Sequence, residues 1–283
     1  MRAASAGADE RAPSLLNDLL PRTLSALALI PIGLGAAWLG GPWVAAAAGA
    51  CALAMSYEWA RMSEPDALTP AFLFALVGAL GAVMFASWRE LDLGLAWLGA
   101  CALLSAVRRR SLVGVIETAG GALYVGAPTA VFVWIRAQAP GGFELVILLF
   151  AAIWAADVAA YFAGRLIGGP KLLPALSPQK TWAGLVAGIL AGAGAGGLSA
   201  SLFAAPLMAW LAAGALIALV GLGGDLFESF LKRRFGVKDA SRLIPGHGGV
   251  LDRLDGMMAA TLTAGLAVAA SPSLPALLLG RAQ

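Results

Sequence analysis

Nine apolar runs, each near the length that crosses a bilayer, follow one another between residues 23 and 279 of this 283-residue chain. A hydrocarbon layer of roughly 30 Å takes about 20 helical residues. The runs fall at about 23–39, 42–57, 69–88, 91–107, 112–135, 144–163, 183–204, 206–228 and 257–279. The second and fourth are the candidates for half-spans or for merger with a neighbour. The pattern predicts an all-α fold, a polytopic integral membrane helical bundle of about nine transmembrane helices. Composition agrees: 12% of residues are charged and 60% hydrophobic, whereas a soluble domain is about one quarter charged. A bundle in lipid grows by adding spans, so the length does not call for two domains. Residues 23–283 read as a single transmembrane domain and residues 1–22 as a polar tail. That tail lacks the unbroken apolar core of a cleaved signal peptide.

Lysine and arginine set the orientation. With the amino terminus cytoplasmic, 16 of the 19 basic residues fall on the inner side, and only Arg89, Arg136 and Arg281 fall outside. Such a bias fits the positive-inside rule and a multi-pass protein of the cell's inner membrane. A net charge of +3 could suggest nucleic acid, but the basic residues lie in the short connections where topology alone calls for them. No nucleic-acid partner is expected. Cys51 and Cys101 sit in apolar runs without metal-site spacing and read as small buried hydrophobes. Glycine-rich stretches such as AGILAGAGAGG read as close helix packing in lipid. Trp38, Trp43, Trp59, Trp88 and Trp182 read as an interfacial belt.

Against this apolar background one long polar run stands out, Ser229 to Asp255. It holds Lys232, Arg233, Arg234, Lys238, Arg242 and Arg253 beside Asp239, Asp252 and Asp255, with His247, the sole histidine. Cations of this kind serve as positive-inside anchors taken singly; together with three aspartates they suit a triphosphate. Pro245 and the glycines around His247 forbid helix and favour a turn whose amides, with Gly248 and Gly249, can approach an anion. His247 itself reads either as a loop hydrogen bonder or as a phosphate contact.

Carboxylates inside apolar runs are costly and call for a partner or a function. Glu117, Asp157, Asp225 and Glu228 are such residues. Asp225 and Glu228 share a helix face with Ser229 and Lys232. Glu117 and Glu228 also fit structural hydrogen bonds between helices. Asp252 and Asp255, spaced i, i+3 at a helix start, suit either the helix dipole or a Mg²⁺ site. Mg²⁺ takes one or two protein carboxylates plus phosphate oxygens and water, and Asp225 with Asp252 would supply them. A second polar segment, residues 164–182, carries Ser177-Pro178, which resembles a capped helix start. Lys180 and Thr181 would then lie near a helix amino end, where phosphate binds well.

These residues resemble a known signature. Ser229–Lys232–Arg233, Lys238–Asp239, Pro245-Gly246-His247-Gly248-Gly249 and Asp252-Arg253-Leu254-Asp255 are similar to the motif of phosphatidate cytidylyltransferases, the CDP-diacylglycerol synthases. Support extends to Asp157-x-x-x-Tyr161-x-x-Gly164-Arg165, to Ser177-Pro178-x-Lys180-Thr181 and, more weakly, to Tyr57-Glu58-Trp59. Gln179 and Ala183 depart from it, standing where lysine and glutamate are common. The resemblance covers the last half of the chain well and the first half loosely. It implies transfer of CMP from CTP to phosphatidate in the bilayer, with Mg²⁺, giving CDP-diacylglycerol and pyrophosphate for phospholipid biosynthesis. On that reading Asp225 and Asp252 hold the metal, helped by Asp255 or Asp157. Arg165, Lys180 and the basic residues of the long run, Lys232, Lys238, Arg233 and Arg253, contact the nucleotide and lipid phosphates. Ser177, Thr181, Ser229 and Asp239 complete the substrate site. The lipid phosphate is its own nucleophile, and no Ser/His/Asp or Cys/His set is present.

Two other readings are open. Asp252-x-x-Asp255-Gly256 matches the opening of the CDP-alcohol phosphotransferase motif, but Met257-Met258 stands where Ala-Arg should follow. A transporter can also carry intramembrane acids and basic gates, yet the polar residues here crowd one end of the spans. A homodimer is compatible with the sequence, which carries no motif for one.

Overall fold

A computed structural model describes residues 15–64, 68–138, 141–241, 243–244 and 248–280, with side chains from Leu27 onward. Nine long helices account for most of the described residues. They are α1 (Leu15–Leu39), α2 (Gly41–Ser63), α3 (Pro70–Ser87), α4 (Leu91–Ala106), α5 (Leu112–Ala137), α6 (Gly142–Leu166), α7 (Trp182–Phe203), α8 (Leu207–Arg234) and α9 (Leu251–Ala270). A short α10 (Leu274–Leu278) follows, and a two-stranded antiparallel hairpin, β1 (Lys171–Leu173) and β2 (Ser177–Thr181), joins α6 to α7. By length and apolar character alone, α3, α5, α6, α7 and α8 suffice to cross a membrane. Leu190, Leu198 and Leu202 of α7 and Met208 of α8 face outward. The second and fourth apolar runs stand as separate helices, α2 and α4, rather than merging.

Several boundaries correct the sequence reading. The hairpin interrupts an otherwise helical chain, so the fold is not purely α. The first helix starts at Leu15, ahead of the expected residue 23, and residues 1–14 of the expected tail lie outside the described ones. The last expected span is broken after Ala270, because Ser271 precedes Pro272 and a residue before proline is pushed out of the helical region. Ser177-Pro178 does not begin a helix. Ser177 pairs with Leu173 in the hairpin, and the cap is Thr181, whose Oγ1 accepts from the Gly184 amide at 3.1 Å. Trp59 is not an interfacial residue. It is buried, and its indole donates to the Glu117 carbonyl at 3.1 Å.

Polar contacts gather the helix ends into two sets. In one, Arg109 of the α4–α5 connection holds Glu64 and Thr118, and Arg234 at the end of α8 pairs with Glu117 near the start of α5. At the other, Arg136 near the end of α5 donates to the carbonyls of Ala37 and Trp38 at the end of α1. The Trp210 indole reaches the Leu278 carbonyl at 2.6 Å. The ends of α1 and α5 therefore lie at one face, and the ends of α2, α4 and α8 at the other. Where α8 crosses α9, a Cβ on Gly224 would come 2.6 Å from the Asp255 carbonyl, so only glycine permits the approach. That crossing brings Asp225 of α8 and Asp255 of α9 to the same cavity.

Candidate active site

A cavity of about 640 Å³ opens between α6, α7, α8, α9 and the hairpin. Its polar part is lined by four carboxylates, Asp157, Asp225, Asp252 and Asp255, and by four cations, Arg165, Lys171, Lys180 and Arg253. Its apolar part is lined by Ile153, Leu185, Ile189 and Leu222, beside glycines of α7 and α8. One chamber therefore offers charge of both signs at one end and a hydrocarbon-compatible wall at the other.

Each wall has a local cause. Residues 157, 161 and 165 recur every four positions along α6 and so fall on one face. The hairpin carries Lys180 over the mouth, where its Nζ meets Asp225 Oδ2 at 2.5 Å; the Lys180 side chain is 17% exposed and that of Asp225 40%. Thr181 lines the chamber too, with its hydroxyl committed to capping α7. On α9, Asp255 Oδ1 accepts from the Gly256 amide at 2.6 Å.

Asp252 is held far more tightly. Its Oδ1 accepts from Lys232 Nζ at 2.7 Å, and its Oδ2 from the Gly249 amide at 2.9 Å and the Ala240 amide at 3.0 Å. Lys232 in turn pairs with Glu228 one turn earlier on α8, at 2.7 Å. Glu228 is almost fully buried and Lys232 does not line the chamber. This lysine thus neutralises Glu228 behind the wall and Asp252 within it.

Of the residues expected from sequence, the chamber gathers Asp157, Arg165, Lys180, Thr181, Asp225, Asp252, Arg253 and Asp255. Ser177, Ser229, Arg233, Lys238, Asp239, Gly248 and Gly249 are not among its lining residues, and Arg233, Lys238 and Asp239 are exposed. The Gly248 amide bonds the Ile244 carbonyl at 3.2 Å and the Gly249 amide bonds Asp252, so both are engaged within the turn. Gly248 has φ +85°, a conformation that favours glycine. Arg242 and His247 lie outside the described residues. Lys171 and Tyr161 also line the chamber, although the sequence reading gave neither a role; the available signals were the four-residue spacing of Tyr161 from Asp157 and Arg165, and the place of Lys171 in the polar segment that holds Lys180.

The larger omission is Glu58 of α2. Fully buried, it accepts three hydrogen bonds from the far end of the chain: Ser241 Oγ at 2.5 Å and the Val250 amide at 2.9 Å on Oε1, and the Leu251 amide at 2.7 Å on Oε2. The sequence offered only an acid at the end of an apolar run, inside the weak Tyr57-Glu58-Trp59 match, and no role for it.

No group of three or more histidine, cysteine or acidic side chains is clustered for a metal among the described residues. The acidic side chains that face the chamber offer carboxylate oxygens, hard ligands that suit Mg²⁺ shared with phosphate rather than a fully protein-bound transition metal. Asp225, engaged by a single lysine, has lone pairs to spare. Asp252 already accepts on both oxygens and offers less.

The family model described as "Cytidylyltransferase family" matches residues 20–270. The chain belongs to the cytidylyltransferase family. It is similar to a phosphatidate cytidylyltransferase of Brucella suis, 39% identical over 267 residues, which cover 92% of this chain and 97% of that one. It is also similar to one of Pseudomonas aeruginosa, 34% identical over 262 residues, covering 86% and 94%. For a member of this family, a chamber with lysines and arginines at one end and an apolar wall at the other suits a nucleotide and a lipid together.

Proposed function

We propose that this protein transfers CMP from CTP to phosphatidate, giving CDP-diacylglycerol and pyrophosphate. The observation that carries the reading is the mixed chamber, in which four cations and four carboxylates adjoin an apolar wall. A phosphate oxygen of the lipid forms a bond to the α-phosphorus of CTP, and the bond to the departing pyrophosphate breaks. No side chain need act as nucleophile. The protein's part is to hold two anions close enough to react and to neutralise the charge they bring. Lys180, Lys171, Arg165 and Arg253 are the groups for that task. Asp225 and Asp252 would hold Mg²⁺, with Asp157 and Asp255 beside them. Mg²⁺ bound there would draw charge from the phosphate oxygens and the leaving group. When the nucleotide enters, Lys180 is free to turn from Asp225 to phosphate. The apolar wall receives the upper part of the lipid's acyl chains. Lys232 orients Asp252 from behind.

In the membrane, we place all nine long helices as spans of the inner membrane, with the amino terminus and the chamber facing the cytoplasm. The supports are the 16 inward basic residues of 19 and the ends of α1 and α5 lying opposite those of α2, α4 and α8.

The test is formation of CDP-[³H]diacylglycerol from CTP and labelled phosphatidate by purified protein, with and without Mg²⁺. The wild type should be active only with the metal. Asp252→Asn should lower turnover about 10³-fold while membrane insertion is unchanged. Near-normal turnover of that variant would remove Asp252 from the metal site, and an inactive wild type would sink the reading as a whole.

A further inference from the structure

Outside the chamber the buried carboxylate of Glu58 accepts three hydrogen bonds, and all three come from Ser241 and the start of α9. Three helix starts cap themselves: Thr69 caps α3, Ser111 caps α5 and Thr181 caps α7, each accepting an amide from three residues on. Helix α9 has no such residue, because Val250 stands at its cap position. Its first free amides, at Val250 and Leu251, are taken instead by Glu58 from α2, a helix nearly 200 residues away in sequence. The positive end of the helix dipole faces this buried acid.

The same carboxylate also accepts from Ser241, so it fastens both ends of the segment running from 241 to 251. Ser241 accepts in turn from the Leu243 amide at 3.1 Å. At the other end a Cβ on Gly249 would lie 2.8 Å from Glu58 Oε1, leaving no room for a side chain. Immediately beyond, Asp252 gathers the Gly249 and Ala240 amides and Lys232. Every bond in this set leads from the Glu58 anchor to the chamber wall.

We propose that Glu58 is a positioning residue of the nucleotide site: from α2 it clamps the start of α9 and residue 241, and so fixes where Asp252 stands in the chamber wall. This rests on the reading of the chamber as the CTP site. Glu58 does not line the chamber, so it acts through the segment it holds.

Glu58→Gln tests it without changing size. Both oxygens of Glu58 accept, and an amide offers only one acceptor. Whichever way the substituted amide turns, its NH₂ faces at least one N–H or O–H donor, and the clamp opens. In full-length protein reconstituted in liposomes, kcat/KM for CTP should fall at least about 10-fold, with KM for phosphatidate within about two-fold. Hydrogen exchange at the Val250 and Leu251 amides should rise about ten-fold or more, while exchange in α3 and α4 stays as in wild type. Ser241→Ala, which removes one donor of three, should give the same split at about three-fold. Should Glu58→Gln fail to insert, Ser241→Ala decides. Unchanged kcat/KM for CTP in the inserted variant, or equal changes toward both substrates, would overturn the proposal. An inactive wild type would instead strike the CTP reading, while the exchange at Val250 and Leu251 would still report the clamp.

Discussion

Lys232 and Asp252 meet inside a closed set of bonds, whereas Lys180 and Asp225 meet at the open mouth of the chamber. The first pair lies 2.7 Å apart with side chains 14% and 8% exposed, and it is flanked by buried Glu228 and by two backbone amides. The second lies 2.5 Å apart, with Asp225 40% exposed and the lysine carried on a short hairpin. Equal charges at similar separation therefore do different work. A pair enclosed by partners is scaffold, because removing one member strands charge away from water. A pair beside solvent contributes little to stability and is easily exchanged for a ligand's phosphates. Exchange for a ligand suits the open pair, and the enclosed pair fixes Asp252 in the chamber wall.

Removing the enclosed lysine should have the largest effect. Lys232→Met leaves Asp252 and Glu228 without their shared cation. It should cost about 3 kcal/mol or more of stability and take CDP-diacylglycerol formation below detection. Thermal unfolding in detergent, followed by intrinsic tryptophan fluorescence, reads the first effect. A variant that melts with the wild type would make the two pairs equivalent and break the comparison.

A smaller loss should follow from parting the helices that bring the two pairs to one chamber. Gly224→Val drives a side chain toward the Asp255 carbonyl and shifts α8 against α9. A displacement near 1 Å should lower kcat about 10²-fold, with the hairpin contact of Lys180 intact. Limited proteolysis of the hairpin, unchanged from wild type, would separate this from general unfolding. Full activity would mean that α8 and α9 tolerate a wider crossing than the glycine contact implies.

Much of this was legible from residues alone. Apolar length located each of the nine long helices, but α1, α2, α8 and α9 have ends six to nine residues from the expected bounds, where capping and polar contacts decide. Asp157 and Asp225 stood out because charge in an apolar run is expensive and rarely idle, Lys180 and Asp252 because they lie in the two polar segments, and Arg165 through the family resemblance. What escaped depended on partners distant in sequence. Trp59 looked like a belt residue until α5 was seen to bury it. Gly249 looked like an anion contact, but its amide serves Asp252. Glu58 could not be told from any acid at a span end until α9, with no cap of its own, was found above it. Ser177-Pro178 had the letters of a helix start, yet three residues later Thr181 offered a cap followed at once by Trp182 and an unbroken apolar run.

Lys180→Met should have the smallest effect, and it probes the open pair directly. The lost bond is partly solvated, so thermal stability should stay within about 0.5 kcal/mol of wild type. The consequence should fall on the nucleotide. A lysine free to turn from Asp225 to phosphate contributes a charged hydrogen bond on the order of 1.5 kcal/mol, so KM for CTP should rise about tenfold. The affinity for Mg²⁺ should move in the other direction, since Asp225 no longer has a resident cation to displace. A titration of activity against Mg²⁺ at saturating CTP reads that shift as a lower half-saturating concentration. If KM for CTP and the Mg²⁺ requirement both match wild type, Lys180 is as structural as Lys232, and the division between an open working pair and an enclosed supporting pair does not hold.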